Sequence, residues 1–422
     1  MMRENKAKLK VKFVTLGCKV NQYETQVLRE DCARHGMDVT EEAADIYVIN
    51  TCSVTHRADR KSRDAIVQAR RENPNSKIAA VGCLAELNRD MLKRLDVEYI
   101  LGQHEKYSLG NVLAGGEISE MSPWSFSVTS SGNHRAFVKV QDGCDNLCSF
   151  CKIPHLRGRS RSRPIDDIIA EIERIEEDHH EIVLCGVNLS LYGKDLSPAQ
   201  DLSGLVACCL ERKRLGRLRI SSLESLYLDE SLLRVLIHPR FCPHLHLCFQ
   251  SGDDRVLRAM NKKETVSQYR DLIARARKVN PDVAISGDII VGFPEEDEKS
   301  FKNTFDFLKE IKPMRLHIFR FSPREKTVFA GMRPGNGKKI KIRYTVLKAA
   351  AQRWSLEYSR RFENRRVDVI TEGKNGDYFY GYSQHYVRVH FTGDARLGEI
   401  TKVKVTQINQ KGVFGESIKE KS

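Results

Sequence analysis

Residues 143–151 read GCDNLCSFC, separated by Asp142 alone from the apolar run AFVKVQ at 136–141. The spacing is CxxxCxxC, with Cys144, Cys148 and Cys151 on one tight loop past a predicted strand. Three thiolates can hold three irons of a cubane and leave the fourth iron open to a ligand; sulfur-rich ligation suits iron–sulfur or zinc. Zinc needs a fourth ligand, for which His155 is at hand. A structural zinc site closes its shell, so the open-iron reading leads.

Working downstream, EIVLCG (181–186), RLRISSL (217–223), HLHLCFQ (244–250), AISGDIIVGF (284–293) and LHIFRF (316–321) continue the alternation of apolar strands with helical stretches. Over 135–335 this predicts a parallel α/β architecture, either a partial barrel or another open sheet. Residues 336–364 read as one long basic helix. Residues 365–420 switch to short alternating strands with Gly turns, such as DYFYGYS and ITKVKVTQIN. That is the pattern of a small antiparallel β-barrel of the oligonucleotide-binding kind.

Upstream, VKFVTLGC (11–18), IYVINTC (46–52) and KIAAVGC (77–83) alternate with predicted helices over 21–36, 56–73 and 86–95. Strand–helix alternation over 9–115 predicts a doubly wound parallel sheet. Cys18, Cys52 and Cys83 each fall just past a strand. Carboxyl ends of parallel strands converge on one crevice, so these thiols are expected to share a metal. Residues 116–134, rich in Gly, Ser and Pro, read as a linker. The other six cysteines, Cys32, Cys185, Cys208, Cys209, Cys242 and Cys248, read as small buried hydrophobes.

The chain has 422 residues, 41% hydrophobic and 30% charged, with 27 Gly, 12 Pro and 12 Cys. That excludes collagenous, disordered and disulfide-scaffold classes and suggests about three domains. Lys+Arg 70 against Asp+Glu 56 leaves +14, which favours a polyanionic partner. The excess is concentrated at 302–366, beside a barrel carrying Tyr378, Phe379, Tyr380, Tyr382 and Tyr386. The expected use is phosphate tracking with base stacking; the plain alternative is a solvated helix face. MMRENKAKLKVKF is basic without an apolar run, and no stretch approaches the roughly 18 apolar residues of a membrane span. No membrane and a reducing, cytoplasmic location are expected.

CxxxCxxC after a strand, together with TLGCKVNQYET (15–25), NTCSVTHRADRKSR (50–63) and AVGC (80–83), resembles the radical S-adenosylmethionine (SAM) methylthiotransferases. The resemblance runs from about Val11 to Glu416. GCKVNQ and the ADRKSR helix resemble the branch acting on threonylcarbamoyl-adenosine at tRNA position 37, whereas the isopentenyl-adenosine branch usually reads GCQMN. The family layout implies an N-terminal auxiliary-cluster domain (9–115), a radical SAM core that is a partial (β/α)6 barrel (135–335), a connecting helix (336–364) and a TRAM barrel (365–420). Two [4Fe-4S] clusters and S-adenosyl-L-methionine are the implied cofactors. Cys144, Cys148 and Cys151 would hold the cluster whose reduction cleaves the cofactor to a 5′-deoxyadenosyl radical. Cys18, Cys52 and Cys83 would hold the cluster carrying the sulfur to be inserted at carbon 2 of adenine.

The resemblance also implies cofactor-binding residues at strand ends: Gly186, Asn188, Ser222, Glu224, Gln250 and Gly252, with Ser251 beside them. Capping and turn chemistry is the alternative for the serines. Glu224, a carboxylate at a strand end, needs a cationic partner. Arg157, Arg159 and Arg161 would meet phosphate or the cofactor carboxylate, or simply be exposed. The implied partners are the tRNA anticodon stem-loop and an electron donor such as flavodoxin or ferredoxin; the sulfur donor is left open. Rival readings are the same chemistry on isopentenyl-adenosine or a ribosomal protein, and a non-catalytic RNA-binding metalloprotein. Two positions depart from the family pattern: Glu295 stands for the Gly of GFPGE, and Lys326 for the Gly of SPRxGT.

Overall fold

The computed structural model describes residues 8–332 and 335–418, Tyr227 by its backbone only. The amino-terminal MMRENKA, residues 333–334 of the core segment and the last four residues, including 419–420 of the final segment, lie outside them. The chain forms two compact units. One comprises the residues up to Ser130 with Asp142–Asp145 and Cys151–Arg159; the other comprises Ser131–Gln141, Asn146–Phe150 and the chain from Ser160.

The first unit is built on β1 (Lys10–Thr15), β2 (Asp38–Val39), β3 (Ile46–Thr51), β4 (Lys77–Gly82) and β5 (Tyr99–Leu101). They pair in parallel in the order β2-β1-β3-β4-β5. All six residues of β3 are buried. Ile46 and Val48 enter one core with Val11, Leu28 and Val81, while Tyr47 and Ile49 enter the other with Ile66, Ile78 and Ala80. A strand covered on both faces is apolar on both, which is why IYVI at 46–49 shows no alternation, while the buried polar Asn50 and Thr51 at its end are hydrogen-bonded to Thr25 and to the Val81 carbonyl. From β1 the chain steps to β2 on one side and to β3 on the other, so the carboxyl ends of β1 and β3 flank the point where strand order reverses.

The helix after β1 spans Lys19–Arg34 and starts two residues before its predicted start, because extended Cys18 takes the N-cap position. The helix His56–Glu72 starts where Thr55 accepts a hydrogen bond from the Ala58 amide. The single helix predicted at 86–95 is instead two short ones, Cys83–Leu87 and Arg89–Lys93. Asn88, at φ −129° and ψ 50°, leaves the helical region between them. β2 and β5, two and three residues long, were too short for a pattern to reveal. The segment 116–134 contains no helix or strand, yet Glu30 accepts hydrogen bonds from the amides of Thr129 (2.9 Å) and Ser130 (3.2 Å), and Val128 is buried.

The second unit continues with β6 (Ala136–Asp142), β7 (Arg161–Ser162), β8 (Glu181–Gly186), β9 (Arg217–Ile220), β10 (Ser222–Leu223), β11 (His244–Gln250), β12 (Ala284–Val291) and β13 (Arg315–Arg320). The strand orders are β7-β6-β8-β9 and β10-β11-β12-β13. β6, β8 and β9 pair in parallel, as do β10 to β13. Only Ser221 separates β9 from β10, so one short stretch of chain serves both sheets. Helices Ile165–Ile175, Leu202–Glu211, Val266–Val279 and Glu298–Ile311 make the crossovers.

The helix Gly337–Ser359 leads to β14 (Arg366–Asn375), β15 (Tyr378–Ser383), β16 (Arg388–Thr392), β17 (Ile400–Asn409) and β18 (Gly412–Ser417). These close a barrel in the order β14-β15-β16-β18-β17. Its core, with Val369, Val389, Phe391 and Val403, also takes Ala284 and Met314 from the parallel sheet. Gly381 permits the tight β14–β15 crossing, since a Cβ there would lie 1.7 Å from the Ile370 carbonyl oxygen.

Fully buried Glu181 anchors this barrel. Its carboxylate accepts from Arg217 Nε (2.6 Å) and Arg219 Nε (2.8 Å). The same arginines donate to the carbonyls of Asp368 (2.8 Å), Tyr382 (2.9 Å) and Ser383 (3.1 Å). Tyr382 and Tyr386 stack on each other at 4.7 Å, with Arg135 and Arg315 over both rings and Arg219 over Tyr386. These two tyrosines, read from sequence as base-stacking groups, are therefore committed to internal packing, as is Phe379 against Phe391. Burial alone would raise the Glu181 carboxyl, but Arg217 and Arg219 beside it hold it at about 2. A depressed carboxyl contributes stability above its unfolded value, and that contribution is lost as pH falls toward the folded one. Between pH 4.5 and 2 the second unit should lose about 3 kcal/mol from this group. Urea unfolding followed by Trp354 fluorescence in a Trp124→Phe background should show this loss, and Glu181→Gln should flatten it. An equally steep profile in Glu181→Gln would refute the assignment.

Candidate active site

In the first unit the three strand-end cysteines lie within electrostatic range of one another. Cys18 precedes its helix, Cys52 follows β3, and Cys83 opens the helix after β4. Gly17, at φ +101°, lets the chain press against Cys52; a Cβ there would lie 2.9 Å from Cys52 Cβ and 3.1 Å from its Sγ. Burial, then the neighbouring Cys83 and Cys18, push the Cys52 thiol up to about 12. Burial also raises the Cys83 thiol, while Arg157 and Lys106 pull it back. Cys18 is exposed, Cys52 half-buried and Cys83 buried; a metal bound by the three would stabilise their thiolates. The donor set is all sulfur, which suits an iron–sulfur cluster.

Each cysteine has its support. Ser62 Oγ accepts from the Cys52 amide (3.2 Å) and donates to its carbonyl (3.0 Å). Asn21 Nδ2 bonds the carbonyls of Leu16 (2.7 Å) and Thr51 (3.0 Å), tying the ends of β1 and β3 together. Gln103 Nε2 donates to Cys83 Sγ at 3.0 Å, and its Oε1 accepts from Lys106 Nζ at 2.7 Å.

Beside this site lies a buried ion network. Arg157, 2% exposed, donates to both Glu24 oxygens (2.8 and 3.0 Å), to Asp142 (2.9 Å) and to Asn21 Oδ1 (3.0 Å). Lys106 reaches the same Glu24 at 2.7 Å. This corrects the expectation that Arg157 meets phosphate or a cofactor carboxylate, because its guanidinium is spent on internal carboxylates. Arg159 is exposed and paired with Asp145 at 2.6 Å, and Arg161 is half-buried in β7. None of Asn21, Glu24, Ser62, Gln103 or Lys106 was singled out from sequence. Asn21 follows Cys18 by three residues and Glu24 follows Asn21 by three more, a signal that was there to read; Gln103 and Lys106 carried none.

Cys144, Cys148 and Cys151 are each half-buried. In the first unit the Cys144 amide donates to the Gly158 carbonyl (3.1 Å), and Gly143 at φ +70° leaves no room for a side chain, a Cβ falling 1.9 Å from the Arg159 oxygen. In the second unit the stretch around Cys148 is pinned. Ser149 bonds the Met260 and Ala259 carbonyls at 3.0 and 2.8 Å, and Asn261 bonds the Leu147 carbonyl at 2.7 Å.

Among the strand-end residues of the second unit, Glu224 has its cation, Lys262, which also faces Glu264 at 3.3 Å. Burial and then a hydrogen bond donated to Glu264 push the Glu224 carboxyl up to about 8, while Glu264 is held low. The two carboxylates therefore share a proton at neutral pH. The Asn188 amide donates to Gln141 Oε1 at 2.8 Å, Gly186 and Ser222 are half-buried, and Gln250 adopts φ +63° past a bulge in β11. Ser251 and Gly252 are used for packing. Thr304 Oγ1 lies 3.3 Å from Ser251 Oγ and 3.0 Å from the Gly252 amide, and a Cβ on Gly252 would meet the Thr304 Cα at 2.8 Å. Lys326 adopts φ +60°, the left-handed conformation that a glycine takes without cost, and Glu295 is exposed beside Arg255.

Residues 10–102 match the uncharacterized protein family UPF0004, and residues 138–308 match the Radical SAM superfamily. The chain is 36% identical over 419 residues to the threonylcarbamoyladenosine tRNA methylthiotransferase MtaB of Thermotoga maritima, covering 96% of each. It is 33% identical over 424 residues to the protein of the same name from Bacillus subtilis, covering 94% of this chain and 93% of that one. Among solved structures, the radical S-adenosylmethionine methyltransferase TsrM from Kitasatospora setae, with cobalamin and a [4Fe-4S] cluster bound, superposes with a TM-score of 0.57 at 13% identity. It covers 78% of this chain and 76% of that one, a likeness of fold alone.

Removing Arg157 strands Glu24 and Asp142 in the interior. Arg157→Met should cost about 3–5 kcal/mol, read as first-unit unfolding by Trp124 fluorescence in a Trp354→Phe background. Adding Glu24→Gln should recover part of the loss. A single-variant cost below about 1 kcal/mol, the range of a surface ion pair, would show that the network is not a buried one.

Proposed function

The chain belongs to the threonylcarbamoyladenosine tRNA methylthiotransferase family, and we propose that it inserts a methylthio group at carbon 2 of threonylcarbamoyl-adenosine at position 37 of tRNA. The observation that supports this is the electrostatic proximity of Cys18, Cys52 and Cys83 past the ends of three adjacent parallel strands, in a chain that also carries CxxxCxxC at 144–151.

Cys144, Cys148 and Cys151 would hold the cluster that binds S-adenosyl-L-methionine, and Cys18, Cys52 and Cys83 the auxiliary cluster. Bound there, the clusters and S-adenosyl-L-methionine supply the one-electron chemistry that an unactivated aromatic C–H requires, for which no acid–base route exists at neutral pH. The protein's share is positioning and charge. Arg157 and Lys106 lie within electrostatic reach of Cys83 and offset thiolate charge. Gly186, Asn188, Ser222, Glu224, Gln250 and Gly252 would line the cofactor, with Gly252 contributing backbone and the Lys262-paired Glu224 a carboxyl able to exchange a proton near neutrality.

In domain terms, 9–115 is read as the auxiliary-cluster domain, 116–134 as the linker, 135–335 as a partial (β/α)6 radical SAM core, 336–364 as the connecting helix and 365–420 as an OB-like TRAM barrel. The target base would be taken from a single-stranded anticodon loop, splayed from its neighbours. Lys338, Lys339, Lys341, Lys348 and Arg353, all exposed on the long helix, would track phosphates. Exposed Tyr378 remains as a barrel aromatic for stacking, Tyr380 being covered by Arg388. A reducing partner such as flavodoxin or ferredoxin is required, and a cytoplasmic setting suits that partner and the tRNA. Among the described residues no helix is long and apolar enough to cross a membrane.

Nucleoside mass spectrometry of bulk tRNA, with and without the gene, tests the reaction and its substrate. Loss of the methylthio group from threonylcarbamoyl-adenosine alone is expected; loss from isopentenyl-adenosine alone would move the substrate. The reconstituted chain should hold about eight irons, and one zinc without iron would end the reading. Cys148→Ala should abolish cofactor cleavage, whereas Cys52→Ala should retain cleavage and lose sulfur transfer. If both variants fail alike at cleavage, the division of labour is wrong. Lys338→Glu with Lys341→Glu should weaken tRNA binding and reduce its salt slope by roughly one for each phosphate no longer neutralised; an unchanged slope would remove the helix from the interface.

A further inference from the structure

Three adjacent parallel strands of the second unit carry a cluster that the proposed reaction does not use. His246 lies on β11, Asp288 on β12 and His317 on β13. His246 is in register with Ser286, and Asp288 with His317. Strand residues two apart share a face, so Ser286 and Asp288 point the same way and all three ligand-bearing side chains rise from one face of the sheet. Asp288 Oδ1 lies 3.2 Å from His246 Nε2 and 3.1 Å from His317 Nδ1. One ligand atom from each residue falls within 4.8 Å of the others.

We propose that His246, Asp288 and His317 form a binding site for a divalent transition-metal ion, zinc or ferrous iron, separate from the two cysteine sets. The donor set is two imidazoles and one carboxylate, which suits these ions and leaves coordination positions open for water or an oxygen ligand. The spacing fits. Two atoms each about 2.1 Å from a zinc ion at the tetrahedral angle lie roughly 3.4 Å apart, close to both measured edges. Charge fits as well, because among the described residues Asp288 is paired with no lysine or arginine and its carboxylate faces only the two imidazoles and the Cys248 thiol.

The surroundings orient the ligands. A metal on His246 Nε2 leaves the proton on Nδ1, and Ser286 Oγ lies 2.9 Å from Nδ1 to accept it. Ser286 Oγ is then free to donate to His244 Nε2 at 2.7 Å, so a buried hydroxyl sets the tautomer that ligation requires. Asp288 is partly buried and His317 half-exposed, which leaves the ion a way in.

The test uses the full-length chain with its clusters reconstituted anaerobically, so that cluster irons occupy the cysteines. The protein is equilibrated with one equivalent of zinc, or separately of ferrous iron, desalted and assayed for metal. One extra zinc per chain, or one high-spin ferrous ion distinct from cluster iron by Mössbauer spectroscopy, is expected. The ion retained identifies the metal. His317→Ala, at a half-exposed position, and Asp288→Asn should each lose that equivalent with cluster iron unchanged. Retention of neither metal by the wild type would overturn the site. So would equal retention by both variants.

Discussion

Arg157, Lys106, Glu24 and Asp142 share a volume from which water is excluded. Two cations and two carboxylates balance there, and each would be costly to bury without the others. The arrangement ties three stretches of chain that are far apart in sequence. Glu24 sits on the helix after Cys18, Lys106 follows the last strand of the first sheet, and Arg157 lies just past the CxxxCxxC loop. A network of this kind adds little net stability over an apolar core. What it does fix is the relative position of these segments, which the paired charges hold together. It also places positive charge within reach of Cys83, where thiolates bound to a metal need compensation.

The second unit repeats the device. Glu181 is buried between Arg217 and Arg219, and those arginines continue to the carbonyls of Asp368, Tyr382 and Ser383. The C-terminal barrel is thus hydrogen-bonded to the parallel sheet through guanidinium groups that a carboxylate holds in place. The consequence for RNA is concrete. Tyr382 and Tyr386 are packed under Arg135, Arg219 and Arg315, which leaves the exposed lysines of the long helix as the phosphate-tracking groups of the proposed reading.

Backbone constraints near the cysteines are of another kind. Gly17 and Gly143 have positive φ and no room for a Cβ, so the chain turns hard against Cys52 and against the segment beyond Gly158. Lys326 adopts a positive φ with a side chain present. The departure from SPRxGT therefore kept the turn and accepted a strain of about 1–2 kcal/mol. Glu295, whose φ is ordinary, reached the surface without strain.

The amino-acid sequence by itself determined most of the strands and the positions of the cysteines at their ends. Alternation of short apolar strands with helical stretches implied a doubly wound parallel sheet, and cysteines placed directly after three such strands pointed to one crevice. Those signals are local: burial on two faces dictates composition, and strand ends dictate position. Residues whose roles depend on distant partners were not legible. Arg157 reads as one of several arginines after a cysteine loop, and nothing nearby says that Glu24, more than a hundred residues earlier, neutralises it. Lys262 as the partner of Glu224, Ser62 as the clamp on Cys52, and the internal stacking of Tyr382 and Tyr386 belong to the same class. The His246–Asp288–His317 cluster exists only because three strands align in one register. Tertiary structure decided these because pairing a buried charge is a property of the volume around it, which the order of residues along the chain does not state.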